Sequence, residues 1–199
     1  MRVVITGGHH NPAMPVVREL LERDKNCQIF WIGHRHTLIN DKNDTLEYIE
    51  VTKQGIPFYQ LNAGKVYKNF NLLRLLKVPF GFIQAFFYLL KIKPDIIVSF
   101  GGYLAVPVVF AAFLLRIPCV SHEQTVVAGY ANKFISHFAN RIFVSWPQSQ
   151  KYFDPAKVVL SGLPIRKAIA EVNSNKIKLN PDLPTVYITG GKTGSHILN

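Results

Sequence analysis

The chain has 199 residues, of which 48% are hydrophobic and only 18% charged, enough for one well-buried α/β domain and incompatible with a disordered chain. Its net charge of +11, from 23 Lys and Arg against 12 Asp and Glu, asks for a polyanionic partner: nucleic acid, anionic lipid or a phosphorylated substrate. Lys/Arg-rich runs and zinc-finger spacings are lacking, and the aromatics group with aliphatics, which argues against nucleic acid.

In chain order, residues 2–6 read as a short buried strand, Gly7-Gly8-His9-His10-Asn11 as a turn, and Pro12 as the opening of a helix whose apolar positions Ala13, Val16, Val17, Leu20 and Leu21 recur at helical spacing. The start of a strand almost at Met1 leaves no room for a signal peptide, so the chain is expected to stay in the cytoplasm. Residues 28–32 form the second strand, 33–44 a polar loop, and 46–51 and 57–61 further short strands or their edges. Residues 70–91 are long, apolar and basic. Strands follow at 95–100, 118–121, 141–145 and 158–160, with helices at 106–115 and 127–139 between them. Cys27 and Cys119, far apart in apolar surroundings, read as reduced core thiols and offer too few ligands for a metal.

Strands alternating with helices predict a Rossmann-like α/β fold, a parallel sheet with helices on both faces. Ligands of such sheets bind outside the carboxyl ends of the strands. The polar clusters fall there: Gly7–His9, Gly101-Gly102-Tyr103 and His122-Glu123-Gln124 each follow or end a strand and are expected to meet at one crevice. Residues 1–165 are expected to form this domain, 166–184 a polar linker, and 185–199 the first strand and glycine loop of a second domain that the chain enters without completing.

The first turn lacks G-x-G-x-x-G, so the dinucleotide fingerprint is absent. Two glycines before a helix either let backbone amides approach a ligand or simply make a tight turn. His9 is a candidate general base for a hydroxyl, and His10 equally a candidate to face the site. The cluster at 122–124 is either a ligand contact or a hydrogen-bonded scaffold for the following helix. Gly190-Gly191-Lys192-Thr193 imitates a P-loop but has Val186 where the pattern needs its first glycine; a diphosphate cradle between strand and helix remains.

In residues 70–91 the longest charge-free stretch, 78–90, has thirteen residues, short of the roughly 20 that span a bilayer. Phe80, Phe82, Ile83, Phe86 and Phe87 exceed what one buried face needs, and Arg74, Lys77, Lys91 and Lys93 flank them. This pattern favours a surface that dips into an anionic leaflet over a core helix plus a loop.

Together, five motifs in order resemble glycosyltransferase family 28, the transferases that add N-acetylglucosamine to the lipid-linked muramyl-pentapeptide of peptidoglycan synthesis. They are Thr6-Gly7-Gly8-His9 with Pro12-Ala13; Lys93-Pro94-Asp95 with Gly101-Gly102-Tyr103; Ile117-Pro118 with His122-Glu123-Gln124, Ala128-Gly129 and Asn132-Lys133; Gly162, Pro164 and Arg166; and Gly190-Gly191 and Gly194 with Ile197-Leu198-Asn199. The resemblance implies the N-terminal domain of a two-domain GT-B fold, holding the lipid acceptor and touching the inner face of the plasma membrane. It implies His9 as the base, with Gly7, Gly8, Tyr103, His122, Glu123 and Asn132 on the acceptor side. Arg166, Gly190, Gly191, Lys192, Thr193, Gly194 and Asn199 would approach the donor, UDP-N-acetylglucosamine. The transfer would invert the anomeric carbon without metal or cofactor. The sequence departs from the family at a shorter first loop, at Thr125 and Leu163 where Asn is expected, and at Lys192 where Ser is expected. Thr125 and Lys192 keep in view a GT-B enzyme for another lipid or glycan; the other alternative, a membrane-recruiting half of a split transferase, would favour a stop near residue 165, and this sequence runs on into the third glycine loop.

Overall fold

The described residues of the computed structural model are 1–36, 44–63, 72–171 and 183–186. Seven strands build one sheet: β1 (Arg2–Thr6), β2 (Gln28–Gly33), β3 (Phe58–Gln60), β4 (Ile96–Ser99), β5 (Cys119–Glu123), β6 (Arg141–Val144) and β7 (Val158–Leu160). Every strand pairing is parallel, in the order β3-β2-β1-β4-β5-β6-β7. Chain direction across the sheet therefore reverses between β1 and β4, and the crevice of a doubly wound sheet opens at that reversal.

Two apolar layers flank the sheet. On one face α1 (His10–Arg23) and α2 (Leu46–Lys53) bury Ala13, Met14, Val17 and Val51 against Val3, Ile5 and Trp31. On the other, α3 (Leu72–Ile92), α4 (Ala105–Leu114) and α5 (Tyr130–Ser136) bury Ala85, Leu89, Val108 and Ile135 against Val4, Ile97 and Ile142. Strand residues alternate between the two layers, as the period of two requires.

The expected strand at 46–51 is instead the helix α2. Thr45 caps it, its hydroxyl accepting from the Tyr48 N–H at 3.1 Å, and Glu47 and Val51, four apart, take the buried side. The β-forming side chains of Leu46, Tyr48 and Ile49 mimic a strand, but the cap and the four-residue spacing decide. The expected helix at 127–139 is shorter, because Gly129 caps α5 and residues 124–129 form a loop around the Glu123 carboxylate.

From residue 72 onward the segment is the single helix α3, which runs through Pro79. Gly81 lets it pass close to the strand end: a Cβ there would lie 3.2 Å from the Ala63 Cα. The Gln84 side chain fixes that crossing, accepting from the Asn62 N–H at 2.8 Å and donating to the Gln60 carbonyl at 3.0 Å.

Met1–Lys167 forms one compact unit and Ala168–Asn199 a second. The strand and glycine loop expected at 185–199 lie outside the described residues beyond 186, as do Gly190, Gly191, Lys192, Thr193, Gly194 and Asn199.

Candidate functional site

The turns after β1 and β4 interlock at the reversal of strand order. The Gly8 N–H donates to the Gly101 carbonyl at 3.0 Å. Gly7 sits at φ +134°, and a Cβ there would lie 2.8 Å from the Gly101 carbonyl oxygen and 2.9 Å from the Phe100 backbone nitrogen. Gly101 and Gly102 have φ of +69° and +79°, a region where glycine avoids the steric cost of a side chain. A Cβ on Gly101 would be 2.6 Å from the Asn132 side chain. Glycines at 7 and 101 are thus required by close approach, and Asn132 abuts the second turn from beneath.

The third cluster is built around one buried carboxylate. Glu123 Oε1 accepts from the Thr125 N–H at 2.9 Å and the Thr125 hydroxyl at 2.6 Å; Oε2 accepts from the Gly129 N–H at 3.1 Å and Asn132 Nδ2 at 2.9 Å. Burial pushes this carboxyl upward, but those donors outweigh it and hold it below the usual range. Asn132 also donates to the His122 carbonyl at 3.3 Å and accepts from the Ser121 hydroxyl at 3.2 Å, and Ser121 lies 3.2 Å from the Ser99 hydroxyl. Glu123 and Asn132, both buried, therefore hold the 124–129 loop and the Gly101 turn together.

His122 is buried on the opposite face of β5, its ring 5.8 Å from that of Phe100. Nε2 lies 3.3 Å from the Gly162 carbonyl and 3.2 Å from the Ser145 hydroxyl, while Nδ1 has no partner among the described residues. A carbonyl only accepts, so the proton belongs on Nε2. Burial lowers this imidazole's pKa, opposed by the Gly162 carbonyl and the Glu123 charge.

Both shifts make the fold acid-sensitive. The unfolded chain binds more protons than the folded one wherever a folded pKa is depressed, so stability rises with pH there. His122 contributes fully above its ordinary 6.5 and loses that contribution as pH falls toward its lower folded value. Glu123 does the same below 4.5. Urea unfolding at pH 7.5 and 5.5 is expected to show a smaller pH dependence for His122→Gln than for wild type; an equal dependence would remove His122 from this role.

His9, the residue preceding α1, is exposed beside the first turn, whereas His10 is buried with Nε2 3.3 Å from Glu50 Oε2. Of the two histidines, it is thus His9 that reaches the rim. Tyr103 is half-buried with its ring 5.7 Å from that of His34. Burial, with the Glu47 charge adding, pushes its phenol up to about 12, so it is a neutral O–H at physiological pH. Arg166 Nη2 spans the Glu50 carboxylate at 2.8 and 3.0 Å. Among the described residues no cluster of His, Cys, Asp or Glu could hold a metal ion.

Away from the rim, Phe80, Ile83, Phe87 and Leu90 of α3 are 53%, 56%, 63% and 44% exposed, an apolar stripe at steps of three, four and three. Phe82 and Phe86 are half-buried behind it, Phe82 edge-on to Phe110 at 5.3 Å. Phe113 and Leu114 at the end of α4 are also exposed, and Lys91, Lys93 and Arg116 are exposed cations close by in sequence. No helix among the described residues is long and apolar enough to cross a membrane.

Sequence reading missed Ser99, Ser121, Ser145 and Glu50. Ser99 and Ser121 had a signal: with Thr6 they stand in register across β1, β4 and β5, a row of small polar groups on one face just beneath the crevice. Glu50 had none, because its partners His10 and Arg166 are distant in sequence.

A parallel sheet with glycine turns interlocked at its reversal point defines a Rossmann-like ligand-binding domain. The glycosyltransferase family 28 N-terminal domain matches residues 3–144, and the chain belongs to that family. It is 35% identical over 200 residues to the UDP-N-acetylglucosamine--N-acetylmuramyl-(pentapeptide) pyrophosphoryl-undecaprenol N-acetylglucosamine transferase of Borrelia hermsii, covering 98% of this chain and 53% of that protein. It is 32% identical over 210 residues to transferase 2 of that type from Bacillus cereus, covering 100% and 56%. The chain thus spans about half the length of the curated relatives it matches. Among solved structures it resembles Acinetobacter baumannii MurG, with a TM-score of 0.63 at 28% identity over 83% of this chain and 46% of that one. The UDP-GlcNAc 2-epimerase of Neisseria meningitidis, with a TM-score of 0.61 at 18% identity over 85% of this chain and 49% of that one, shares the fold.

Proposed function

We propose that this chain supplies the acceptor-binding half of an inverting enzyme that transfers N-acetylglucosamine from UDP-N-acetylglucosamine to a lipid-linked muramyl-pentapeptide, the conversion of lipid I to lipid II. The observation that carries this reading is the 3.0 Å bond from Gly8 to Gly101, which joins two glycine turns into one rim beside the exposed His9. The names of the Borrelia hermsii and Bacillus cereus relatives supply the substrates.

His9 takes the proton of the acceptor hydroxyl as its oxygen attacks the anomeric carbon from the face opposite the leaving group. The bond to the UDP oxygen breaks and the configuration inverts. α1 and α4 both start at this rim, so the positive ends of two helix dipoles face the acceptor's diphosphate. Gly7 and Gly8 keep the rim open, and the neutral Tyr103 phenol hydrogen-bonds the acceptor. His122, Glu123 and Asn132 act through the loops they hold. By the family resemblance, Arg166 and, separately, Gly190, Gly191, Lys192, Thr193, Gly194 and Asn199 are the donor-side residues, and fixed cations and amides can stabilise a leaving diphosphate without a metal. The Phe80, Ile83 and Phe87 stripe, backed by Phe82 and Phe86, enters the cytoplasmic leaflet, placing the protein on the inner face of the membrane with no role for nucleic acid.

Titrating the chain with a muramyl-pentapeptide diphosphate on a short prenyl tail tests this. Saturable binding is expected, and His9→Ala is expected to keep it, because a base acts in the transition state rather than in the ground state. No binding to wild type would contradict the reading.

A further inference from the structure

The Glu50 carboxylate joins three parts of the chain. Glu50 lies on α2. Its Oε2 is 3.3 Å from Nε2 of His10, the first residue of α1. Its Oε1 and Oε2 are 2.8 and 3.0 Å from Nη2 of Arg166, in the segment that follows β7. That segment is pinned at two further points: the Gly162 carbonyl against His122 Nε2 at 3.3 Å, and Lys167 Nζ against Glu22 Oε2 at 2.8 Å.

We propose that Glu50 is a positioning residue that fixes, with one carboxylate, both the helix start that places His9 at the rim and the segment leading out of the Met1–Lys167 unit. This rests on the reading of His9 as the acceptor's base. The physical basis is geometric. His9 is the residue immediately before α1, with φ −124° and ψ 83°, so holding His10 onto Glu50 fixes where the helix starts and hence where the adjoining His9 backbone stands at the rim. Removing the carboxylate takes from the buried His10 imidazole the 3.3 Å contact that ties the start of α1 to α2. The same carboxylate takes the Arg166 guanidinium through Nη2, which reaches both of its oxygens at 2.8 and 3.0 Å, a charge-assisted contact. Loosening either partner therefore frees Glu50 to follow the other, which couples the first glycine turn to residues 162–167. Lys167–Glu22 cannot do this alone, being an exposed pair of the kind that contributes little.

The test is backbone 15N relaxation on the 199-residue chain, with Glu50→Gln, Glu50→Asp and Arg166→Met beside wild type. In Glu50→Gln, order parameters of residues 8–11 and 163–167 are expected to fall together from about 0.85 toward 0.6, while β1 and β4 keep theirs. Binding of the prenyl-tailed acceptor analogue should weaken about tenfold, because the loosened Gly7-Gly8 turn, rather than the His9 side chain, holds the acceptor in the ground state. Glu50→Asp, which keeps the charge, should recover at least half of both losses. Arg166→Met, remote in sequence from the turn, should also loosen residues 8–11, and it decides the matter should Glu50→Gln fail to fold. Loosening confined to one segment, or Gln and Asp behaving alike, would overturn the coupling. Failure of wild type to bind the analogue would instead remove the reading of His9, while the relaxation data would still decide the role of Glu50.

Discussion

Gly7→Ala is expected to lower the stability of the Met1–Lys167 unit by about 3 kcal/mol, and Gly8→Ala by a few tenths. The two positions are neighbours in one turn and differ in backbone conformation and in what surrounds them. At Gly7 a methyl group would stand 2.8 Å from the Gly101 carbonyl oxygen and 2.9 Å from two Phe100 backbone atoms. These are backbone obstacles that no rotamer change relieves. The φ of +134° adds a strain of about 1–3 kcal/mol for any other residue, and overpacking adds a similar amount. At Gly8 an added methyl meets nothing within 4 Å. For a unit of this size, each kcal/mol moves the unfolding midpoint by about 2–4 °C, so Gly7→Ala should melt roughly 6–12 °C below wild type. Equal midpoints for the two variants would mean that the turns after β1 and β4 do not interlock as described.

Ile83→Ser with Phe87→Ser is expected to weaken binding to vesicles containing anionic phospholipid by roughly 100-fold without lowering the melting temperature. Both side chains are more than half exposed at 56% and 63%, so their replacement removes little from the core. Burying an apolar side chain of this size gains about 1.5–3 kcal/mol. Two of them, already partly covered, supply about 3 kcal/mol, and each 1.4 kcal/mol is a factor of ten. Phe86, half-buried against the core, is a poor probe because its loss also unsettles packing. The remaining attraction comes from cations such as Lys91, Lys93 and Arg116, and should weaken as salt screens them. Binding unaffected by the double substitution would remove the membrane role of this face.

The sheet and the meeting of the turns were legible because they rest on local signals. Buried apolar runs such as Val3–Ile5 end in Gly7-Gly8 or Gly101-Gly102, and a parallel sheet must place those ends on one rim. The α2 helix was misread because Leu46, Tyr48 and Ile49 carry strand-like side chains while the Thr45 cap that overrides them is a single residue. The inner half of the site was legible only in part. His122-Glu123 and Asn132 stood out as polar groups in apolar surroundings, but whether they face a ligand or one another depends on the fold of residues 124–129. The Glu123 carboxylate accepts from Thr125, Gly129 and Asn132, which a sequence alone does not reveal. Glu50 illustrates the remaining limit: Arg166 lies 116 positions away, and no periodicity links charges so far apart.

The most direct measurement is the NMR footprint of the prenyl-tailed muramyl-pentapeptide diphosphate on this chain. Amide shifts are expected at Gly7 to His9, at Gly101 to Tyr103 and at Gln124 to Thr125 in a single saturable event, with residues on the opposite, amino-terminal edge of the sheet unmoved. Shifts confined to one turn, or scattered over the α3 stripe alone, would contradict an acceptor site at the β1–β4 reversal.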